Sequence, residues 1–293
     1  MNKKRLKFGF PLGVWYEDTI ELFRAAGYKV CHDKKFQKIV LDDPEIQCIP
    51  ARPIPMASFI EKGFLDAGIS TEASLLESRA KLRRICDLEF IRPLPSKTKV
   101  VLAVPKNSNI RSISDLQGKK IITKIPNIAK DFLKRKKVSA KIIYSDALLN
   151  EPLVGLVVDA IIDFAKTGDY LKAYRLRVLH TLLESSVVLV ANKKCLKDRW
   201  KREKIEGLGY LLKGARLGQE MVGLMLQASD KMMEKVLRIV PSLKKPTVTQ
   251  LRGENWFDVL TVVPKKEIRE IVPKLKRNGC RAIIEFPLNK VVL

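Results

Sequence analysis

Histidine is almost missing: the 293-residue chain has two, His32 and His180. Neither stands at a metal-ligand spacing or beside a nucleophile elbow, so a zinc site and a serine-type triad lack sequence support. The five cysteines, Cys31, Cys48, Cys86, Cys195 and Cys280, include no Cys-x-x-Cys pair. Their odd number argues against a disulfide framework, and they read as small buried or half-buried thiols. Aromatics are 7% and sit mostly in apolar segments. That weighs against a nucleic-acid surface, where bases and aromatics interleave. No apolar run reaches the roughly 18–20 residues that cross a bilayer. The basic start "MNKKRLKFGFPLG" has only a short apolar stretch and no small-residue cleavage site, so a cytoplasmic location is expected. "QGKKI" lacks the spacing and hydroxyl of a Walker loop, and no Gly-x-Gly-x-x-Gly occurs.

What the chain has is positive charge. Fifty-six Lys and Arg against 32 Asp and Glu give +24. Such a field favours anionic partners, either phosphorylated metabolites or nucleic acid. The bases are spread along the chain in short runs, as on a lysine-rich solvated surface. A hydrophobic fraction of 46% suits two or three domains with real cores.

Short Val/Ile/Leu runs at 6–11, 46–53, 97–105, 139–145, 159–165 and 185–194 read as strands. Amphipathic stretches at 16–28 and 128–138 read as helices. This alternation predicts α/β layers with mainly parallel sheets. After residue 205 the texture changes to strand-helix-strand-helix-strand, the order of a split βαβ, or ferredoxin-like, module. Pro273 within the last helix predicts a kink or an early break.

The segment "VDAIIDFAKTGDYLKAY" (158–174) carries the chemistry best. A buried strand delivers Asp159 and Asp163, and its end delivers Thr167-Gly168. Ligands bind beyond the carboxyl ends of strands in open α/β sheets. Amides at such a turn cradle anions. On these residues alone a plain strand-to-helix turn is the favoured reading.

The segments taken in order resemble the long form of ATP phosphoribosyltransferase, the first enzyme of histidine biosynthesis. The similar stretches are "ELFRAAGY", "FIEKGFLDAGI", "DLQGKKIITKIPN", "GLVVDAIIDFAKTGDYL", "LLESSVVLVAN", "VPSLKKPTVTQL" and "GCRAIIEFPLNKV". The resemblance implies two periplasmic-binding-protein-like lobes and a C-terminal ferredoxin-like (ACT-like) α+β domain. It sets lobe one at 1–95 with 184–208, lobe two at 96–183 and the regulatory domain at 209–293. It also implies transfer of phosphoribose from phosphoribosyl pyrophosphate to N1 of ATP, with Mg²⁺ on the pyrophosphate. Asp163, Thr167, Gly168 and Leu171 match the phosphoribosyl-binding loop, which here also includes Asp169 and Tyr170. Arg52, Asp66, Gly68, Lys124 and Gly13 match cleft positions. Thr247, Ala282 and Gln227 match positions that contact inhibitory histidine. No residue is assigned as general base or metal ligand. A dimer or hexamer is expected.

Several ligand-facing positions depart from the family. Leu12 and Val14 replace basic residues of Pro-Lys-Gly-Arg. Leu149 stands at an acid, Thr71 at a glycine, and Asp169-Tyr170 where the loop has a small residue and a threonine. A second reading follows: a paralogue of altered activity that binds small molecules without turning them over.

Overall fold

Leu6, Phe8 and Phe10 are fully buried, which sets strand β1 (Leu6–Pro11) inside a sheet. The structure, a computed structural model, describes residues 4–33, 35–88, 98–147, 149–165, 168–241 and 245–293. After β1 come α1 (Tyr16–Ala25), the hairpin β2 (Val30–Asp33) and β3 (Lys38–Leu41), and β4 (Ile46–Ala51). Then follow α2 (Pro53–Glu61), β5 (Ala67–Thr71), α3 (Glu72–Ser78) and β6 (Arg83–Asp87). A second group holds β7 (Thr98–Pro105), β8 (Lys120–Thr123), α4 (Pro126–Lys136) and β9 (Lys141–Tyr144). It continues with β10 (Ala160–Ala165), α5 (Asp169–Ala173) and β11 (Leu176–Ser185). β12 (Val187–Ala191) rejoins the first group, and α6 (Arg199–Glu220) follows.

These groups are two lobes, each built on a five-stranded sheet, in the orders β4-β1-β5-β12-β6 and β11-β7-β10-β8-β9. Both sheets are mixed, which corrects the expectation of mainly parallel pairing. β1 is parallel to β4 and β5, but β12 is antiparallel to β5 and β6. β8 is parallel to β9 and β10, while β7 is antiparallel to β10 and β11. A run buried on both faces reads the same in either direction, so the sequence hides the reversal. Met56, Ile60, Leu65, Val188 and Val190 form the core under α2 in lobe one. Leu102, Ile121, Phe132 and Ile162 anchor that of lobe two.

The chain forms two compact units: residues up to Glu21 with Tyr28–Gly209, and Leu22–Gly27 with Tyr210–Leu293. The second unit contains β13 (Met221–Ser229), α7 (Met233–Ile239), β14 (Thr247–Gln250), β15 (Trp256–Pro264), α8 (Ile268–Arg277) and β16 (Arg281–Pro287). Its antiparallel sheet has the order β14-β15-β13-β16, the ferredoxin-like arrangement. β14 was not foreseen, because its four residues are all exposed and show no apolar signal. α8 runs through Pro273 to Arg277 without the expected break. Ile268, Ile271 and Leu275 bury one face of it, and the carbonyl that Pro273 cannot serve belongs to exposed Arg269.

Candidate active site

β8 and β10 lie side by side and parallel, with Ile162 opposite Thr123. The next residues therefore meet: Lys124 Nζ lies 3.5 Å from Asp163 Oδ2. Asp163 is 7% exposed. Its Oδ1 accepts from the Phe164 amide at 2.7 Å. Its buried Oδ2 has the ammonium at ion-pair range but makes no hydrogen bond among the described residues. Burial pushes the Asp163 carboxyl above its ordinary value; Lys124 and the Phe164 amide oppose this, and Glu151 adds to it. A buried carboxylate with spare acceptor capacity, at the carboxyl end of a sheet, is equipped to take a hydroxyl or amine of a ligand.

Gly168 caps α5 at φ 75° and ψ 2°. A side chain there would meet nothing within 4 Å, so the left-handed backbone alone demands glycine. Asp169 opens α5, and Tyr170 is exposed. Leu171 packs against the core cluster that includes Val154, Val158 and Ile161, pinning the short helix to the sheet. Thr167 lies outside the described residues. Leu149, at the position where the resemblance implies an acid, is exposed. Sequence reading missed Glu151, two positions on, whose carboxylate acts electrostatically on Asp163. A carboxylate in "NEPL" was the available signal.

In lobe one, Pro11 and Ala51 are register partners, so the turns after β1 and β4 are neighbours. Gly13, at φ 84°, and exposed Arg52, ahead of α2, occupy these turns. Val14 is exposed, so an apolar side chain presents where the family has a base.

Two expected cleft residues are placed elsewhere. Asp66 precedes β5, at its amino end. Its Oδ1 pairs with Lys201 at 2.6 Å, and its Oδ2 accepts from the Lys7 amide at 2.9 Å. Gly68 is buried opposite Gly9, where a side chain would meet Gly9 O at 2.9 Å and Met56 Sδ at 2.9 Å. Asp66 and Gly68 thus serve the fold: one fastens the strand, the other permits close strand and helix packing. Thr71, standing at the family's glycine, caps α3 by accepting from the Ser74 amide at 3.2 Å.

In the second unit, Gln227 on β13 faces Asp258 on β15 and Arg281 on β16. Ala282 has φ 43°, at an irregularity in the β13–β16 ladder. Arg281 stacks over Trp256 at 4.2 Å. Thr247 is on the opposite edge strand, β14. Three strand spacings put Thr247 and Ala282 about 14 Å apart. One chain therefore brings Gln227 and Ala282 together but leaves Thr247 away from them.

Residues 52–214 match the family "ATP phosphoribosyltransferase", and residues 218–290 match "HisG, C-terminal domain". The chain is similar to an ATP phosphoribosyltransferase of Thermodesulfovibrio yellowstonii, 37% identical over 292 residues, covering 100% of both chains. It is similar to another from Pelotomaculum thermopropionicum, 37% identical over 288 residues, covering 98% of this chain and 99% of the relative. Among solved structures it resembles the ATP phosphoribosyl transferase (HisG:HisZ) complex of Thermotoga maritima, with TM-score 0.59 and 22% identity. That likeness covers 71% of this chain and 98% of the other, and bears on the fold. The match runs through both lobes and the ferredoxin-like unit, and it includes the Lys124–Asp163 pair and Gly168 at the start of α5. This chain belongs to the ATP phosphoribosyltransferase family.

Proposed function

We propose that the corner formed by Lys124, Asp163 and the Gly168 turn holds phosphoribosyl pyrophosphate for transfer of its ribose to ATP, the first step of histidine biosynthesis. The observation that carries this reading is the buried Asp163 carboxylate, whose Oδ2 has the Lys124 ammonium at 3.5 Å and which lies on the strand that leads to Gly168. In the transfer, the bond from C1 of the ribose to pyrophosphate breaks and its electron pair leaves with pyrophosphate. N1 of adenine supplies the pair for the new bond to C1, and the adenine releases a proton. Asp163 orients the ribose by accepting from its hydroxyls. Lys124 opposes the burial that raises that carboxyl and adds positive charge where the pyrophosphate leaves. Catalysis of this kind rests on positioning and charge stabilisation.

Mg²⁺ fits as part of the substrate. No group of three ligating side chains occurs among the described residues. A magnesium held by substrate phosphates needs only one or two protein carboxylates, and Asp163 or Glu151, which feel each other's charge, would be the ones to supply it. The metal would supply charge neutralisation on pyrophosphate.

The second unit is proposed to sense histidine through Gln227, Ala282 and Thr247. Their separation in one chain means that a pocket using all three needs two copies, which agrees with a homo-oligomer. No described helix is long and apolar enough to cross a membrane, and a biosynthetic role suits the cytoplasm.

The test is direct. Pure protein with ATP, phosphoribosyl pyrophosphate and Mg²⁺ should release pyrophosphate and form N1-phosphoribosyl-ATP, read by mass spectrometry. Bound ligands without product would favour the second reading, a non-catalytic binder, which the apolar Leu12 and Val14 motivate. RNA binding driven by charge would instead show steep salt dependence.

A further inference from the structure

α4 begins without a cap of its own. Its N-cap residue is Ile125, which has no side-chain acceptor. Pro126 carries no N–H, and Ala129 already donates to Ile125 O at 3.1 Å. The remaining amides, Asn127 and Ile128, both donate to the carboxylate of Glu77, at 3.0 Å to its Oε2. Asn127 Nδ2 adds a bond to Glu77 O at 2.8 Å. Glu77 is 5% exposed and stands on α3, a helix that sequence order assigns to lobe one. Burial raises the Glu77 carboxyl; the amides of Ile128 and Asn127 oppose this most, with a smaller contribution from the charge of Arg79.

The rest of α3 is fastened to the joint between the lobes. The Glu72 amide donates to Ser186 O at 3.0 Å, and the Ser186 amide returns a bond to Glu72 Oε2 at 3.1 Å. The Ala73 amide donates to Ser185 Oγ at 3.0 Å. Ala73 itself is buried in the core cluster of lobe two. Ser185 and Ser186 are where the chain returns from β11 to β12. α3 is thus bound to the crossing at one end and to α4 at the other.

This matters for the site because Lys124 precedes Ile125, the residue at which α4 starts. The Ile125 amide is held by Thr123 Oγ1 at 3.0 Å, and the Ile125 side chain is fully buried. The turn carrying Lys124 therefore has few internal degrees of freedom, and the first turn of α4 sets where it ends. We infer that Glu77 is a positioning residue: a carboxylate from lobe one caps α4 of lobe two and so fixes the Lys124 turn against Asp163.

The inference rests on the phosphoribosyl-site reading above, and its test separates the two. Amide hydrogen exchange is followed at Asn127 and Ile128, and phosphoribosyl pyrophosphate binding is measured by calorimetry, for wild type, Glu77→Gln and Glu77→Ala. Val104→Ala, on β7 in the lobe-two core, serves as a control for general loss of stability, since it thins the core without touching a hydrogen bond of α4. Losing the cap should speed exchange at both amides and weaken ligand binding about tenfold in Glu77→Ala. Glu77→Gln, which keeps an acceptor but not the charge, should fall between. Val104→Ala should leave affinity within about twofold of wild type, because no hydrogen bond to α4 changes. Affinity in Glu77→Ala equal to that of Val104→Ala, or amides as protected as in wild type, would overturn the inference. If wild type itself fails to bind, the site reading falls. Unchanged exchange would then still refute the cap, and faster exchange would confine Glu77 to joining the lobes.

Discussion

Lys201 on α6 holds Asp66 at the amino end of β5, with Nζ 2.6 Å from Oδ1. The carboxylate is nearly buried, and its other oxygen is taken by the Lys7 amide. This is a fastening between elements rather than a ligand contact. Removing Lys201 leaves a buried charge with one partner fewer. Lys201→Met should therefore lower stability by about 3 kcal/mol in urea unfolding. Binding of phosphoribosyl pyrophosphate should stay within about twofold, since the change lies at the far end of the strand. A parallel loss of affinity would return Asp66 to the site.

Asp163 should show the opposite balance. Burial raises its carboxyl above the ordinary value despite Lys124 and the Phe164 amide. At low pH both folded and unfolded states hold the proton, so the residue is neutral to stability. As pH rises past the unfolded value, the unfolded chain ionises first and gains. The fold loses stability until the raised folded value is passed, and the loss is constant above it. Asp163→Asn should thus be at least as stable as wild type at neutral pH, with any advantage vanishing in acid. Its affinity for phosphoribosyl pyrophosphate should fall about 10- to 100-fold, as expected for losing a charged acceptor. Thermal melts across pH beside calorimetry would check both halves. Destabilisation at neutral pH would show that the carboxylate holds the fold.

These two aspartates show what could be read from the sequence. Both matched cleft positions in the family, and only the partners distinguish them. Lys201 is 135 residues from Asp66, a pairing no local pattern announces. The strand ends carrying Lys124, Asp163 and Gly168 were legible, because buried apolar runs ending in Gly are strong local signals. α3 was not: seven residues are too few to show a period, and it is held by the Thr71 cap and contacts to both lobes. β11 was missed because irregularities at Val178/His180 and Thr181/Leu183 interrupt its alternation. The separation of Thr247 from Ala282 depends on strand order, which a list of motifs does not contain.

The cysteines offer a check on burial. Desolvation pushes the Cys48 thiol up to about 12 and the Cys195 thiol up to about 11, the latter with help from Asp66. Cys280 is buried, whereas Cys31 is exposed on β2. Only thiolate reacts with disulfide reagents, so exposed Cys31 should label ahead of Cys48, Cys195 and Cys280 near neutral pH. Cys31→Ser should abolish that fast phase. Raising the pH by about one unit should not bring Cys48 into it, because its proton is still held. Prompt labelling of Cys48 in native protein would mean that the core around β4 opens.

Asp169 sets the last prediction. It follows Gly168 directly and opens α5, where a carboxylate is favoured by the helix terminus. A 5′-phosphate seated on the same turn would sit beside it, and like charges a few ångströms apart repel by about 1 kcal/mol even at the dielectric of water. Tyr170, 61% exposed, cannot supply the compact hydroxyl of the threonine that the resemblance implies there. Asp169→Ala with Tyr170→Thr should therefore tighten phosphoribosyl pyrophosphate binding by roughly fivefold or more. The same change removes a favourable charge from the start of α5, so stability should drop by about 0.5 kcal/mol. The gain should shrink as salt is added, because the removed repulsion is screened in solvent. Unchanged affinity at low salt would mean that the phosphate does not rest on the Gly168 turn. The Lys124–Asp163 corner would then be reading some other part of the ligand.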